Sequence, residues 1–291
     1  MNWPRDCKVK LRHPLKDKTT FKIGGRAQFF SEPKDLAQLK CLLGAAKRNK
    51  LPVFILGAGS NLLISDRGVK GLVIKLNSAY FKRMALKGNC IEAGSAVRLS
   101  QLIFLAQSKS LRGLEFLVGI PGTLGGALAM NAGCRESAIG DLVKEVSVMD
   151  YKGRIKILSR KDIKFSYRKS GLGKYIILSA LLRLKKGERA QIKKNINSYL
   201  GFRRRTQDLS LANAGCIFKN PPQRYAGKLI DLCGLKGRKI GDAFISERHA
   251  NFILNRGKAS AKDVLGLMRL INKKVKDKFK INLQPEIKLW R

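Results

Sequence analysis

Histidine is nearly missing from this 291-residue chain, which holds only His13 and His249. Neither stands at a metal-like spacing from a cysteine, so no structural or catalytic zinc, and no other metal site, is expected. The six cysteines (Cys7, Cys41, Cys90, Cys134, Cys216, Cys233) include no C-x-x-C pair. Scattered in this way they read as free thiols of a reducing compartment, several of them buried. Long apolar runs are missing too, because Lys or Arg interrupts each one well before the ~18 residues a membrane span needs. The opening stretch, MNWPRDCKVKLRHPLKDK, is charged throughout and has no apolar signal-peptide core. The expectation is a cytoplasmic protein without membrane insertion.

Acidic residues are scarce as well: 20 Asp+Glu stand against 60 Lys+Arg, a formal net charge of +40. Three explanations fit such an excess. A nucleic-acid binder would neutralise phosphates; a lysine-rich surface would merely be solvated; an enzyme could draw in polyanionic substrates by its field. The basic residues are spread along the whole chain, and no stretch interleaves them with aromatics as a base-stacking platform would. No nucleic-acid partner is therefore expected. A hydrophobic content of 44% with 27% charged residues is globular, and the length suits about two domains.

What the chain does contain begins with residues 52–66, PVFILGAGSNLLISD. Two short apolar runs bounded by Pro and Gly read as buried strands, and the turn between them is Gly57, Ala58, Gly59, Ser60, Asn61. Its glycines let a ligand approach the main chain, and its hydroxyl and amide offer donors suited to phosphate oxygens. It is not the G-x-G-x-x-G fingerprint, because Leu62 occupies the third glycine's place; taken alone it is a glycine-rich hairpin. A second cluster lies at residues 118–133, where four glycines within 119–126 exclude a helix from the start and suit a backbone nest, with a helix at 127–130. Either the two loops close on one elongated phosphate ligand, for which a flavin dinucleotide's pyrophosphate is suitable, or they are unrelated tight turns.

Elsewhere the patterning gives a strand-like piece at 19–25 and a strand–helix–strand unit over 29–55. Strands follow at 71–76, 83–86, 90–93, 143–150, 154–158 and 176–182, with a helix at 97–107. A helix at 191–203 leads to a loop at 208–215, a short strand at 216–221, a short helix at 227–233, a long helix at 259–279 and a last strand at 281–289. The charged link 185–189 is the seam. It divides the chain into a region 1–186, with lobes at about 1–76 and 77–186, and a C-terminal domain 187–291.

Seven stretches carry a resemblance: TTFKIGGRA, ILGAGSNLLISD, GLEFLVGIPGTLGGALAMNAG, FSYRKS, GCIFKNP, LIDLCGLKGRKIGDAFISERHANFILN and LQPEIK. In this order and spacing, from Thr19 to Glu286, the chain resembles the UDP-N-acetylenolpyruvoylglucosamine reductase family. These are the flavoenzymes, also called UDP-N-acetylmuramate dehydrogenases, of bacterial peptidoglycan synthesis. The resemblance implies a mixed α+β and α/β fold: a two-lobed FAD-binding region of the vanillyl-alcohol-oxidase (PCMH) type, then an α/β substrate-binding domain. It implies FAD as cofactor, NADPH as reductant, UDP-N-acetylglucosamine enolpyruvate as substrate, and a monomer. Nothing between Ser170 and the strand at 176–182 leaves room for the inserted tyrosine-bearing loop of one subtype, so the shorter subtype is expected.

Carried over residue by residue, the resemblance assigns FAD contacts to Gly57, Ala58, Gly59, Ser60 and Asn61 of the first turn. From the second it takes Gly119, Ile120, Pro121, Gly122, Thr123, Gly125, Gly126 and Asn131. Arg168 matches the active-site arginine, whose planar fork suits a carboxylate that gains charge during reaction. Glu286 matches the C-terminal glutamate; Tyr167, Lys219 and Asn220 match substrate-binding positions. Cys216 departs from the pattern, standing where a proton-donating serine is usual. A thiol of reference pKa ~8.5 is mostly protonated at neutral pH and is a better acid than a hydroxyl, provided Lys219 does not ionise it. Asp208 stands where proline is usual, which puts that loop's geometry in question. Another flavin oxidoreductase of the same fold would be oxygen-reactive and would not need the GCIFKNP and LQPEIK motifs. A nucleic-acid-binding module would be colourless, its affinity falling steeply with salt.

Overall fold

The computed structural model describes residues 3–4, 6–134 and 137–291. Helix α1 (Leu36–Arg48) starts where the Asp35 carboxylate accepts the Gln38 N–H, and it buries Leu39, Leu42, Leu43, Ala45 and Ala46 on one face. An N-cap followed by 3.6-residue periodicity is what makes this segment a helix. The strand Val53–Leu56 that follows pairs in parallel with Val69–Lys75. With the strand Arg26–Ser31 ahead of α1, the expected strand–helix–strand unit is present.

The chain forms two compact units. One comprises Met1–Leu11, Phe29–Ala58 and Gly71–Phe202; the other comprises Arg12–Gln28, Gly59–Lys70 and Arg203–Arg291. The second thus takes two segments from the first third of the chain.

In the first unit a five-stranded antiparallel sheet runs in the order Ile155–Ser159, Val143–Met149, Ile176–Arg183, Cys90–Gly94, Met84–Lys87. Its strands alternate between two cores. Ile177, Ala180 and Leu182 face the core that helix α2 (Leu99–Ser108) covers with Leu99, Leu102, Ile103 and Ala106. Ile176 and Leu178 join Met149 in the core under α1. Helix α3 (Leu124–Met130) and the first turns of helix α4 (Arg189–Thr206) complete the former core through Leu124, Leu128, Ile192 and Ile196.

In the second unit the sheet order is Ala212–Cys216, Phe252–Asn255, Ala243–Ile245, Lys239–Ile240, all antiparallel. Helix α5 (Ala226–Leu232) ends before Gly234, whose φ is +65°. Helix α6 (Ala261–Phe279) opens on a capping box of Ser260 and Asp263 and buries Val264, Leu267, Met268, Ile271 and Val275. The Asp66 carboxylate accepts the Ala261 and Lys262 N–H groups at 2.7 and 3.0 Å. A negative charge is thereby placed at the positive end of α6, and the 59–70 segment is tied to this unit.

Four local expectations need correction. Residues 19–25 are not a strand: their main chain is taken up in loop bonds, Thr20 N–H to Gly59 and Gly25 N–H to Ser65. The strand expected at 216–221 lies earlier, at Ala212–Cys216, inside the stretch expected to be loop. The last strand is confined to Lys288–Trp290, paired in parallel with Leu62–Ile64, because Pro285 cannot donate to a ladder. The helix in the second glycine cluster starts at Leu124 rather than Ala127. Among the described residues, no helix is long and apolar enough to cross a membrane, and no three His, Cys, Asp or Glu side chains gather to hold a metal. All six cysteines are free thiols.

Candidate active site

The two glycine-rich turns meet in the first unit. The strand Val53–Leu56 leads into Gly57, where an added Cβ would lie 3.0 Å from the Thr123 hydroxyl oxygen. Glycine is what allows the turns to approach this closely. Gly119 has a φ of +75°, in the region that favours glycine. Thr123 caps α3, its Oγ1 accepting the Gly126 N–H at 3.3 Å. The Leu124 and Gly125 N–H groups donate to the carbonyls of Val97 and Ser95 at 2.9 and 2.8 Å. The first-turn donors of α3 are therefore satisfied inside the fold. Gly125 also supplies room, since a Cβ there would lie 2.9 Å from the Ser95 Cβ.

Donors for an anion lie ahead of the helix instead. Among the described residues, no protein group accepts the main-chain N–H of Ala58, Gly119, Gly122 or Thr123. Uncommitted N–H groups beside glycines are the kind of donor that a backbone nest offers to a pyrophosphate. The first turn continues into the second unit. There Gly59, at φ +67°, has no space for a Cβ against the Lys18 carbonyl oxygen. The Asn61 amide donates to the Glu286 carbonyl at 3.2 Å, and the Asn61 carbonyl accepts the Lys288 N–H at 3.0 Å. Ser60 stands half-buried between them. Ile120 is half-buried and Pro121 exposed.

Arg168 sits at the tip of a hairpin in the first unit. Phe165–Ser166 pairs with Lys169–Ser170, which leaves Tyr167 and Arg168 as the two-residue turn. Arg168 has a φ of +52°, a left-handed conformation that costs a non-glycine residue on the order of 1–3 kcal/mol and collects at functional sites. Side-chain bonds to carbonyl oxygens help to hold the tip. The Arg168 Nη1 donates to the Gly133 carbonyl at 2.9 Å, the Asn131 amide donates to the Ser166 carbonyl at 3.0 Å, and the Ser170 hydroxyl donates to the Ala129 carbonyl at 3.0 Å. Asn131 is itself the left-handed C-cap of α3, and its Oδ1 accepts the Gly140 N–H at 3.0 Å. Both ends of its amide are thereby engaged within the fold. Tyr167 is 53% exposed, its ring centre 5.3 Å from the Arg168 guanidinium. A single short helix thus joins the glycine turn at Thr123 to the anchorage of the arginine.

Cys216, Lys219, Asn220 and Glu286 gather in the second unit. The strand Ala212–Cys216 pairs with Phe252–Asn255 through a register shift between Asn213 and Cys216. Gly215, at φ +74°, lies in that shift, and its N–H donates to the Asn213 side chain at 2.9 Å. A bulge of this kind re-aims the residue that follows, here the half-buried Cys216. Beyond it the segment runs between two neighbours. On one side the Ile217 carbonyl accepts the Glu286 N–H, and the Lys219 N–H donates to Gln284, both at 2.8 Å. On the other stands Asn251, 2% exposed. The Asn220 Oδ1 accepts the Ala226 N–H at 3.0 Å and so helps to start α5.

Asp208 shapes the loop that leads into this strand. Its carboxylate accepts the Ser210 N–H at 3.2 Å, the Ser210 hydroxyl at 2.6 Å and the Ser246 hydroxyl at 2.9 Å. Burial pushes its pKa up, but these hydrogen bonds and the Arg248 charge outweigh burial and hold it below the usual carboxylate range. A hydrogen-bonded carboxylate therefore ties this loop together at position 208. His249 is held below the ordinary imidazole pKa by burial, and its Nδ1 accepts the Asn251 N–H at 3.2 Å. Two residues absent from the expected site, Asn251 and Ser170, hold its parts in place. Both lie inside quoted motifs (HANFILN, FSYRKS), yet an amide or hydroxyl in a motif does not reveal what it grips.

Comparison with known proteins supplies the family. The model for the UDP-N-acetylenolpyruvoylglucosamine reductase C-terminal domain matches residues 207–290, and an FAD binding domain model matches residues 27–159. The UDP-N-acetylenolpyruvoylglucosamine reductase of Caldanaerobacter subterraneus subsp. tengcongensis is 43% identical over 287 residues, 98% of this chain and 94% of that protein. Its counterpart from Synechococcus elongatus is 43% identical over 279 residues, 95% and 92% of the two. The crystal structure of the Thermus caldophilus reductase superposes with a TM-score of 0.84 at 36% identity, covering 98% of this chain and 99% of that one. Cholesterol oxidase from Brevibacterium sterolicum, 14% identical, covers 64% of this chain and 39% of its own with a TM-score of 0.50, a likeness of fold alone. The expected FAD-binding fold with a following C-terminal domain is therefore present. By identity, coverage and fold, the chain belongs to the UDP-N-acetylenolpyruvoylglucosamine reductase family.

Proposed function

We propose that the chain reduces the enolpyruvyl group of UDP-N-acetylglucosamine enolpyruvate, with NADPH as reductant, to give the UDP-N-acetylmuramate of peptidoglycan precursor synthesis. The observation that carries this reading is the main-chain bond from the Glu286 N–H to the Ile217 carbonyl, 2.8 Å long. It joins the strand end bearing the candidate acid, Cys216, to the segment bearing the candidate carboxylate, in a family whose named substrate needs both.

The donors of Ala58, Gly119, Gly122 and Thr123 would hold the FAD pyrophosphate, with Gly57, Gly125 and Gly126 giving room. Gly59, Ser60, Asn61, Ile120, Pro121 and Asn131 would stand along the same cofactor. FAD held there would supply hydride transfer from NADPH to C3 of the enolpyruvyl group. Arg168 grips the substrate carboxylate, and its attraction grows as negative charge develops from C2 onto that carboxylate. Cys216 gives its proton to C2 and regains one from solvent, so that hydride and proton together saturate the double bond. Glu286 orients the reacting group; Lys219 and Asn220 bind the diphosphate, and Tyr167 flanks it.

An anaerobic visible spectrum tests the reading. A yellow protein should bleach with NADPH and recover its colour on addition of UDP-N-acetylglucosamine enolpyruvate. A protein that takes up no FAD, or whose bleached flavin ignores that substrate and responds to oxygen alone, would contradict it.

A further inference from the structure

The Cys216–Lys219 segment has lost its sheet partner where its chemistry begins. Cys216, opposite Phe252, is the last paired residue of its strand. From there Asn251 takes over. Its carbonyl accepts the Ile217 N–H at 2.9 Å, its Oδ1 accepts the Phe218 N–H at 2.9 Å, and its Nδ2 donates to the Phe218 carbonyl at 2.8 Å. One buried amide thus imitates a strand, satisfying both the donor and the acceptor of one residue. The opposite edge is bonded to Glu286 and Gln284, and Phe218 bridges Pro285. The placing of Cys216 and Lys219 against Glu286 therefore rests on these main-chain bonds and on one buried side chain.

We propose that Asn251 is a positioning residue for the half-reaction that consumes the enolpyruvyl substrate, holding the Cys216–Lys219 segment in register with Glu286. This rests on the functional reading above. Asn251 acts through the segment it grips. Misplacement of a reacting group by ~1 Å can cost on the order of 10²-fold in rate, so the loss of one of these bonds should be visible in turnover. The titratable groups around Asn251 are His249, whose Nδ1 accepts the Asn251 main-chain N–H, Lys236 near His249, Cys216 and Lys219 on the gripped segment, and Glu286 across Ile217.

The test is Asn251→Asp in the full-length, FAD-loaded protein. The replacement keeps the acceptor for the Phe218 N–H but sets a second oxygen against the Phe218 carbonyl. Flavin is reduced anaerobically with dithionite, and its reoxidation by UDP-N-acetylglucosamine enolpyruvate is followed across pH. Reoxidation near pH 8 should fall at least ~10-fold. It should recover as the pH is lowered, because a carboxyl protonated in that site regains a donor. FAD content and the limiting rate of reduction by NADPH should stay within about two-fold of the parent.

A parental rate of reoxidation would overturn the proposal. So would a loss indifferent to pH, or an equal fall in both half-reactions and in FAD content, which marks a purely structural residue. Should this variant not fold, Asn251→Ser, which keeps a short donor and acceptor but no titratable group, is judged by the split between the two half-reactions and by FAD content alone. Cys216→Ser is measured alongside. If it alone is slow, the donor reading stands and the positioning role falls. If Asn251→Asp alone is slow and pH-rescued, the positioning role stands, acting on Lys219 and Glu286, and the thiol donor falls. A parent protein that the substrate does not reoxidise defeats the functional reading itself.

Discussion

The arginine and the thiol are held by opposite means. Arg168 rides on a two-residue turn, and side chains reaching to carbonyl oxygens fix it: Asn131 to Ser166, Ser170 to Ala129, and its own guanidinium to Gly133. Cys216 lies half-buried at a strand end, and the segment behind it is fixed by main-chain bonds and one buried amide. The first arrangement suits a long cation beside an exposed tyrosine, where the head must reach a ligand. The second suits a short side chain that cannot reach, so its backbone must be placed instead. Side-chain reach decides which device is used.

Substitutions can break this comparison, beginning with the largest effect. Cys216→Ala should lower the rate of flavin reoxidation by ~10²–10⁴-fold, the usual value of a positioned general acid, and leave flavin reduction by NADPH near the parental rate in rapid-mixing experiments. Arg168→Ala should cost ~10²–10³-fold in kcat. Arg168→Lys should recover only part of that, because an ammonium lacks the planar fork. Equal rates for Arg168→Lys and the parent would show that charge alone matters at the hairpin tip.

Asn131→Ala attacks the hairpin's anchor and leaves the buried Gly140 N–H without its acceptor. A loss of ~1–3 kcal/mol in denaturant unfolding is expected, together with a fall in kcat; an unchanged kcat would mean that the guanidinium–Gly133 bond suffices. The smallest effect is expected at Asp208. Its pKa is lowered in the fold, so its stabilising contribution is present above the unfolded carboxylate pKa of ~3.9 and is lost as the pH falls through the lower folded value. Asn in its place removes that contribution, so the neutral plateau should fall slightly and the acid side of the stability curve should be flatter. Circular dichroism melts between about pH 3 and 7 would read this directly.

Much of this arrangement was legible before any coordinates. The helical spacing of Leu36, Leu39 and Leu43, and of Val264, Leu267, Met268, Ile271 and Val275, marks α1 and α6 because each helix buries one face. The apolar run of residues 176–182 marks a strand because both of its faces enter a core. What escaped was set by partners far away in sequence. Phe21 and Ile23 alternate as in a strand, yet Gly59 and Ser65 take the main-chain bonds nearby. The glycines at 125 and 126 argue against a helix, but the Thr123 cap and the carbonyl of Ser95 satisfy its first turn. The site residues were found through motif order rather than through periodicity. Asn251 stayed anonymous because its importance lies in what the neighbouring strand has stopped doing.

The most direct measurement is the pH dependence of flavin reoxidation by UDP-N-acetylglucosamine enolpyruvate in the parent and in Cys216→Ser. If Cys216 is the proton donor, the parent rate falls on the alkaline side as the thiol ionises, from a reference pKa of ~8.5. That limb then disappears, or moves well up in pH, in the serine variant. The same alkaline limb in both proteins would contradict a thiol donor and assign the proton to another group.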